Sequence, residues 1–374
     1  MLLSNLFFYL CYSLYFIFLF LSDLCDEVID KNVVKILLLC LIVFFAITNY
    51  FYFKKEIKHF KYYIPYLLIS VAFFLLTKDF FWIIAVLICF LHKSICDTKL
   101  FSLSFFLLSF LVFFVVLGFW LDLLPDVTSY RDDYSVLERH SFGFYHSNVL
   151  PIVFFYLFVY YIFSSFRINC YVLLFFIFVH SFLFAYCNSR NAFLSFLLVT
   201  FFVILYKTNL FYNFERKFLI SKFFFVFAIL VALLSVAFPL SQLLLNSNVC
   251  SIIDQFFSNR CSLGSIGMNA YGINFINHMS SDEYYSLPLF YNYAQRNGVI
   301  LDSAYMFLFV RYGVLAFVFY FWLFLFLYKN YKNSPLKLCI LSVVVLANVI
   351  DNDLLSYGFL PFFVLSFQYA SKRK

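Results

Sequence analysis

The sequence predicts an all-α polytopic membrane protein, and three observations carry that expectation. Hydrophobic residues make up 65% of the 374 residues and charged residues only 12%, against about a quarter charged in an average globular domain. Apolar runs of about 18 residues or more, each long enough to cross roughly 30 Å of hydrocarbon, recur along the whole chain. Lysine and arginine gather on alternate connections between those runs.

The runs give about twelve spans, near 5–21, 33–53, 62–77, 80–92, 100–121, 148–166, 169–187, 191–206, 220–240, 304–328, 338–350 and 354–370. The first has no basic residue ahead of Leu6 and no small-residue cleavage site, so it reads as a retained helix rather than a signal peptide. The runs at 62–77, 80–92 and 338–350 are short and call for tilt or extension into their flanks. No internal repeat and no soluble domain interrupts the series. Residues 1–374 read as a single integral membrane domain.

Orientation follows from the charges. With the N-terminus inside, the inner connections carry 17 of the 26 Lys and Arg: four in 54–61, two in 93–99, Arg167, four in 207–222, three in 329–337 and three in 372–374. The same connections carry three of the 19 acids, Glu56, Asp97 and Glu215. Cytoplasmic loops collect cations in this way, so both termini are expected in the cytoplasm. The net charge of +7 is then a topology and lipid-headgroup signal. It is no nucleic-acid footprint, because the cations are spread over six short segments instead of one patch.

The outer side keeps two larger loops, 122–147 and 241–303, and a four-residue turn, Asn188-Ser189-Arg190-Asn191. Aqueous chemistry is possible only where the chain leaves the lipid, so these stretches hold the candidate site. Loop 122–147 carries five acids with Arg131 and Arg139, and ends on His140, Gly143, His146, Ser147 and Asn148 at the membrane surface. Loop 241–303 is the one long polar interval, with Arg260, Arg296, His278, Asp254, Asp282, Glu283 and Asp302 among clustered Gly, Asn and Ser. Arg190 sits against the topological bias for cations. It is suited either to bidentate contact with phosphate oxygens or to snorkelling at the interface. Arg311 lies deeper, inside the tenth span, where an ionisable residue is a functional candidate by default. Asp302 either takes part in chemistry or N-caps that span. His180, in the middle of the seventh span, reads as a hydrogen-bonded core residue. Cys250 and Cys261 either pair beside Arg260 or remain two free thiols. No His/Cys/Asp cluster has zinc spacing, and no phosphate-binding loop or nucleophile elbow occurs. Gly and Pro number eight and seven. That scarcity speaks against the broken helices of alternating-access transporters.

In order along the chain, these residues resemble the O-antigen polymerase (Wzy-type) family, which is related to the O-antigen ligases. Arg139 precedes Gly143-Phe144-Tyr145-His146-Ser147-Asn148; Ser189-Arg190 opens a later span; Arg260 is followed by Gly264, Gly267 and Gly272; Asp302 is followed by Tyr305, Tyr312 and Gly313. Ligases carry His-Asn where this chain has Asp302-Ser303, which favours a polymerase. The resemblance implies a lipid-sugar-using (GT-C-like) transferase of the bacterial inner membrane, with its active site on the periplasmic face. Its substrates would be undecaprenyl-diphosphate-linked oligosaccharide repeat units, the growing glycan passing onto a new lipid-linked unit. A chain-length regulator, a flippase and a ligase of the same pathway would be its partners, with membrane lipid around it.

Such a substrate is already activated, so neither nucleotide nor metal cofactor is called for. The main demand is to stabilise charge on the departing diphosphate, which fixed arginines do well. Arg190 and Arg260 are the expected clamp, with Arg131, Arg139 and Arg296 in support. Asp302 is the expected acceptor or orienter of the hydroxyl proton, ahead of Asp282 and His278. His146, Asn148, Tyr305 and Arg311 complete the expected substrate-binding set. Two other readings stay open: an O-antigen ligase, and a non-enzymatic flippase or transporter. Long outer loops and nearly charge-free spans favour the enzyme.

Overall fold

A computed structural model describes residues 2–24, 96–130, 138–164, 167–208, 214–245, 260–276, 303–350 and 358–371, with residues 40, 43, 68–73, 75, 84, 87, 88 and 254 from the stretches between. The described residues form helices α1 (Leu2–Leu24), α2 (Asp97–Trp120), α3 (Val149–Phe163), α4 (Cys170–Cys187), α5 (Arg190–Lys207), α6 (Phe214–Leu245), α7 (Arg260–Tyr271), α8 (Ala304–Tyr312), α9 (Val314–Tyr331), α10 (Pro335–Ile350) and α11 (Leu360–Ser371). Among the described residues, one two-residue antiparallel ladder pairs β1 (Ser129–Tyr130) with β2 (Glu138–Arg139). The described residues are otherwise helical, in keeping with the expected all-α class.

Among the described residues, five helical segments are long and apolar enough to cross a membrane: α2, α4, α5, residues Phe218–Leu244 of α6, and α9. Their outer faces suit lipid and not water. Phe106, Phe110 and Phe113 on α2 are each about 60% exposed, and Phe178 on α4 is 72% exposed. A contiguous apolar surface of this kind marks a membrane-embedded chain. The expected spans at 33–53, 62–77 and 80–92 lie mostly outside the described residues.

The chain divides into two compact units. Unit 1 comprises Met1–Phe51, Leu91–Lys217 and Ser356–Pro361. Its centre is α3, apolar all round and buried along most of its length, as a helix enclosed by others must be. α2, α4 and α5 pack on it, and α1 packs on α2. Large rings fill the gaps: Phe101 lies 4.7 Å from Phe163, and Phe158 lies 4.7 Å from Phe176 and 5.2 Å from Phe196, centroid to centroid. Buried hydroxyls find partners here. The Tyr160 hydroxyl donates to the Gly358 carbonyl at 2.8 Å, and Tyr12 and Ser104 share a hydrogen bond at 2.6 Å. Gly358 has no room for a side chain, since a Cβ there would meet the Tyr156 ring at 2.6 Å. His180 is buried as expected and stacks on Phe196 at 3.9 Å, but its Nε2 has no hydrogen-bond partner among the described residues.

Unit 2 comprises Tyr52–Phe90, Phe218–Leu355 and Phe362–Lys374. The sequence reads one span over 304–328, and the structure corrects this. The helix stops at Tyr312 and restarts at Val314 around Gly313, which has φ +90°. All of α8 is buried, and it packs on α7, α9 and α10.

Two further corrections concern loop 241–303. α6 continues as helix to Leu245, and residues 260–271 are not a solvated loop but the helix α7, with Cys261, Leu263, Ser265 and Met268 all buried.

Candidate functional site

The polar end of unit 1 is built from the connection between α2 and α3. After Trp120 the chain turns tightly: Asp122 takes a positive φ, and the N–H groups of Leu123 and Leu124 both donate to the Gly118 carbonyl. The Asp126 carboxylate then organises the returning strand. Its Oδ1 accepts from the N–H groups of Ser141 (2.8 Å) and Phe142 (3.1 Å), and its Oδ2 lies 2.6 Å from His140 Nδ1. Burial pushes this carboxyl up, but the hydrogen bonds from His140, Ser141 and Phe142 outweigh it and hold its pKa below the ordinary value. Phe142 and Gly143 are consecutive positive-φ residues that fold the strand back. At Gly143 a Cβ would press at 3.2 Å on the Val115 carbonyl and on Phe119. The motif glycine therefore lets this cap sit directly on α2.

Strand β2 turns Arg139 inward, where it is 9% exposed. Its Nε donates to the Cys187 carbonyl at 2.8 Å, and its Nη2 donates to Asn148 Oδ1. Cys187 ends α4, so this carbonyl is one that its own helix leaves unsatisfied. The Asn148 N–H donates to His146 Nδ1 at 3.1 Å. His146 is an exposed residue. Partial desolvation of its ring, and then the Arg139 guanidinium, push its pKa below the usual value. The structure thus brings Arg139, His146 and Asn148 together, as the sequence order suggests.

The four-residue turn expected at 188–191 is shorter. Asn188 is left-handed (φ 49°), Ser189 is the N-cap, and Arg190 is already the first residue of α5, exposed. Arg190 follows Cys187 by three residues and therefore lies at the same end of unit 1 as Arg139. Arg131 falls outside the described residues.

In unit 2, Arg260 opens α7. The Asp254 carboxylate caps that helix, accepting from the N–H groups of Cys261 (2.8 Å) and Ser262 (3.0 Å) and from the Ser262 hydroxyl. A carboxylate suits the positive end of a helix. Cys261 is disulfide-bonded, which removes the free-thiol reading for that residue. Cys250, the partner that the sequence offers, lies outside the described residues.

At its far end α7 stops on Gly272 (φ +74°), and the chain leaves along α9. The carbonyls of Asn274 and Phe275 accept from the N–H groups of Val314 (3.1 Å) and Leu315 (3.0 Å). A Cβ on Gly313 would meet those two carbonyl oxygens at 2.8 Å. Gly264 is equally confined, by Met306 and Pro239. Among the described glycines of unit 2, Gly264 and Gly313 are the ones that neighbouring atoms approach most closely.

Arg311, two residues before the break, is buried with its guanidinium 5.2 Å from the Phe307 ring and 5.1 Å from the Tyr312 ring. Tyr305 is fully buried, and its hydroxyl donates to the Val345 carbonyl at 3.0 Å. The cap position of α8 is Ser303, not Asp302, and Ser303 makes no capping bond. Asp302, His278, Asp282 and Arg296 lie outside the described residues.

The sequence alone assigns no role to Asp126, His140 or Asp254. Asp126 and His140 are 14 residues apart with no local spacing signal; only the ladder of β1 and β2 brings them together. Among the described residues, no group of three or more His, Cys, Asp or Glu is placed to hold a metal ion.

Fold and geometry define an all-α membrane protein with a built polar cap at one end of unit 1. No family model matches the chain, and no curated protein or solved structure matches it either.

Proposed function

We propose that this chain is a polymerase of lipid-diphosphate-linked oligosaccharide units, with about twelve spans in a GT-C-like transferase architecture. It lies in the bacterial inner membrane with both termini cytoplasmic. The growing glycan leaves undecaprenyl diphosphate and joins a new lipid-linked unit at the outer face. Arg190 takes the charge of the departing diphosphate. Such donors at a low-dielectric boundary are each worth about 3 kcal/mol in the transition state.

The observation that carries this reading is the cap of unit 1. A buried arginine, an asparagine and a neutral-leaning histidine are locked together where the chain meets the membrane surface, and exposed Arg190 opens a helix at the same end. This is a site for an anionic headgroup with sugars attached. The disulfide at Cys261, next to Arg260, supports an outer location, because disulfides persist in oxidising compartments.

The test is a gel of surface polysaccharide from a strain lacking this chain. Collapse of the ladder to core plus one repeat unit is the expected result, and an unchanged ladder sinks the reading. Absence of any repeat unit on the core points to a ligase or flippase instead. One observation favours the flippase: the break at Gly313 is a discontinuous helix of the kind that transporters use, despite the scarcity of Gly and Pro.

A further inference from the structure

We propose that His140, held by Asp126, is the general base that takes the proton of the acceptor sugar's hydroxyl, in place of Asp302. The inference rests on the polymerase reading and replaces the proton acceptor that the sequence suggests.

The argument starts from the pairing. Both oxygens of Asp126 are engaged, Oδ2 with His140 Nδ1 at 2.6 Å and Oδ1 with two backbone N–H groups. An ionised carboxylate can only accept, so the proton of a neutral His140 is fixed on Nδ1. Its Nε2 then carries a bare lone pair, and among the described residues nothing is bonded to it. The side chain is 33% exposed, open to an approaching substrate. A carboxylate that orients an imidazole and stabilises the imidazolium is the same logic by which hydrolase triads work.

Position supports the role. The His140 N–H donates to the Tyr186 carbonyl at 3.1 Å, in the last turn of α4. Arg190 is four residues further along, a stretch that spans at most about 14 Å. The base and one arm of the diphosphate clamp therefore stand at one end of unit 1. Among the described residues, the groups packed around the imidazole are Asp126, the Phe142 ring and the Tyr186 ring, at 6.0 and 6.2 Å between centroids for the two rings. Arg139, its neighbour in the chain, points away to Cys187 and Asn148.

The step balances without a co-reactant. The acceptor oxygen bonds to the anomeric carbon as its proton passes to Nε2. The bond from that carbon to the diphosphate oxygen breaks, and its electron pair leaves with the lipid diphosphate. The imidazolium then releases the proton to water.

The experiment uses full-length protein in membranes and, as probe, lipid-linked repeat units extracted from the strain lacking this chain. His140→Gln keeps a donor for Asp126 but provides no base. Its expected rate is at least about 100-fold below wild type, at unchanged membrane level and thermal transition. The loss falls on kcat with KM little changed, and imidazole partly restores His140→Ala. Asp126→Asn, a change in a positioning residue, lowers kcat about tenfold at unchanged KM. A His140→Gln protein within threefold of wild type, or a His140→Ala protein that imidazole does not restore, overturns the base assignment alone. Wild-type protein that leaves the extracted units unjoined sinks the polymerase reading and this inference with it.

Discussion

In unit 1 the chain between α2 and α3 is held by side chains gripping backbone. Asp126 holds two N–H groups, Arg139 holds the Cys187 carbonyl, and Ser141 Oγ accepts from Val127. In unit 2 the carbonyls of Asn274 and Phe275 meet the start of α9 backbone against backbone, with Gly313 at the close approach. The first arrangement leaves titratable groups at a surface, where they can do chemistry and feel pH. The second rests, in the two bonds that carry it, on N–H and C=O groups that do not titrate.

The comparison breaks most sharply at Gly313. Gly313→Ala puts a Cβ against two backbone carbonyls and forces φ +90° on an L residue. Strain and displacement together cost about 3 kcal/mol or more, a large share of the stability of an ordinary domain. Thermal unfolding of purified protein should show a collapse of the transition or no folded protein at all. Gly272→Ala is the control. Its φ of +74° is equally unfavourable, but the nearest atom to a Cβ is Asn274 Nδ2 at 3.8 Å. Only the conformational cost of about 1 kcal/mol remains there. Equal losses in the two variants would remove close packing as the reason for Gly313.

Arg139→Ala comes next. It strands the Cys187 carbonyl and the Asn148 side chain in a buried place, at about 2 kcal/mol. Arg139→Lys should recover less than half of this, because a lysine cannot span both acceptors in one plane. Near-complete recovery by lysine would show that charge alone matters at this position.

These positions also show how much is legible in the sequence. α3, α4 and α5 fall within a few residues of the expected spans because apolar length is read directly from the residues. The break at Gly313 is hidden inside an unbroken apolar run: its cause is the 274–276 segment, far away in sequence. The same holds for α7, whose Gly, Ser and Asn content reads as loop although its packing against Met306 and Pro239 makes it a buried helix. Arg139, His146 and Asn148 are visible because ten consecutive residues carry them. Asp126, His140 and Asp254 are not, since each acts through a partner several to many residues away. The state of Cys261 stays undecided at that level because pairing is a matter of distance and not of spacing.

Asp254→Ala has a smaller effect, about 1 kcal/mol from the loss of a helix cap. It should appear as faster hydrogen exchange at the Cys261 and Ser262 amides and leave the unit 1 cap untouched. Spread of the effect to Ser141 or Phe142 would show that the two regions are not independent.

The smallest expected effect is that of acid, and it separates the two regions by kind. His146 has a folded pKa below its ordinary value of about 6.5. Its contribution is therefore complete above that value and is lost as pH falls through the lower folded one. The bond at stake is specific: protonated Nδ1 becomes a donor, so the Asn148 N–H loses its acceptor. Asp126 is also depressed, and its contribution is present above about pH 4 and lost only below that. As pH falls below about 6.5, protection of the Asn148 amide should fall before that of Ser141 and Phe142. Val314 and Leu315, bonded to backbone carbonyls, should not change beyond the intrinsic rate. A parallel fall at Val314 would mean that the glycine joint senses pH after all, and that the contrast between side-chain grip and backbone grip is wrong.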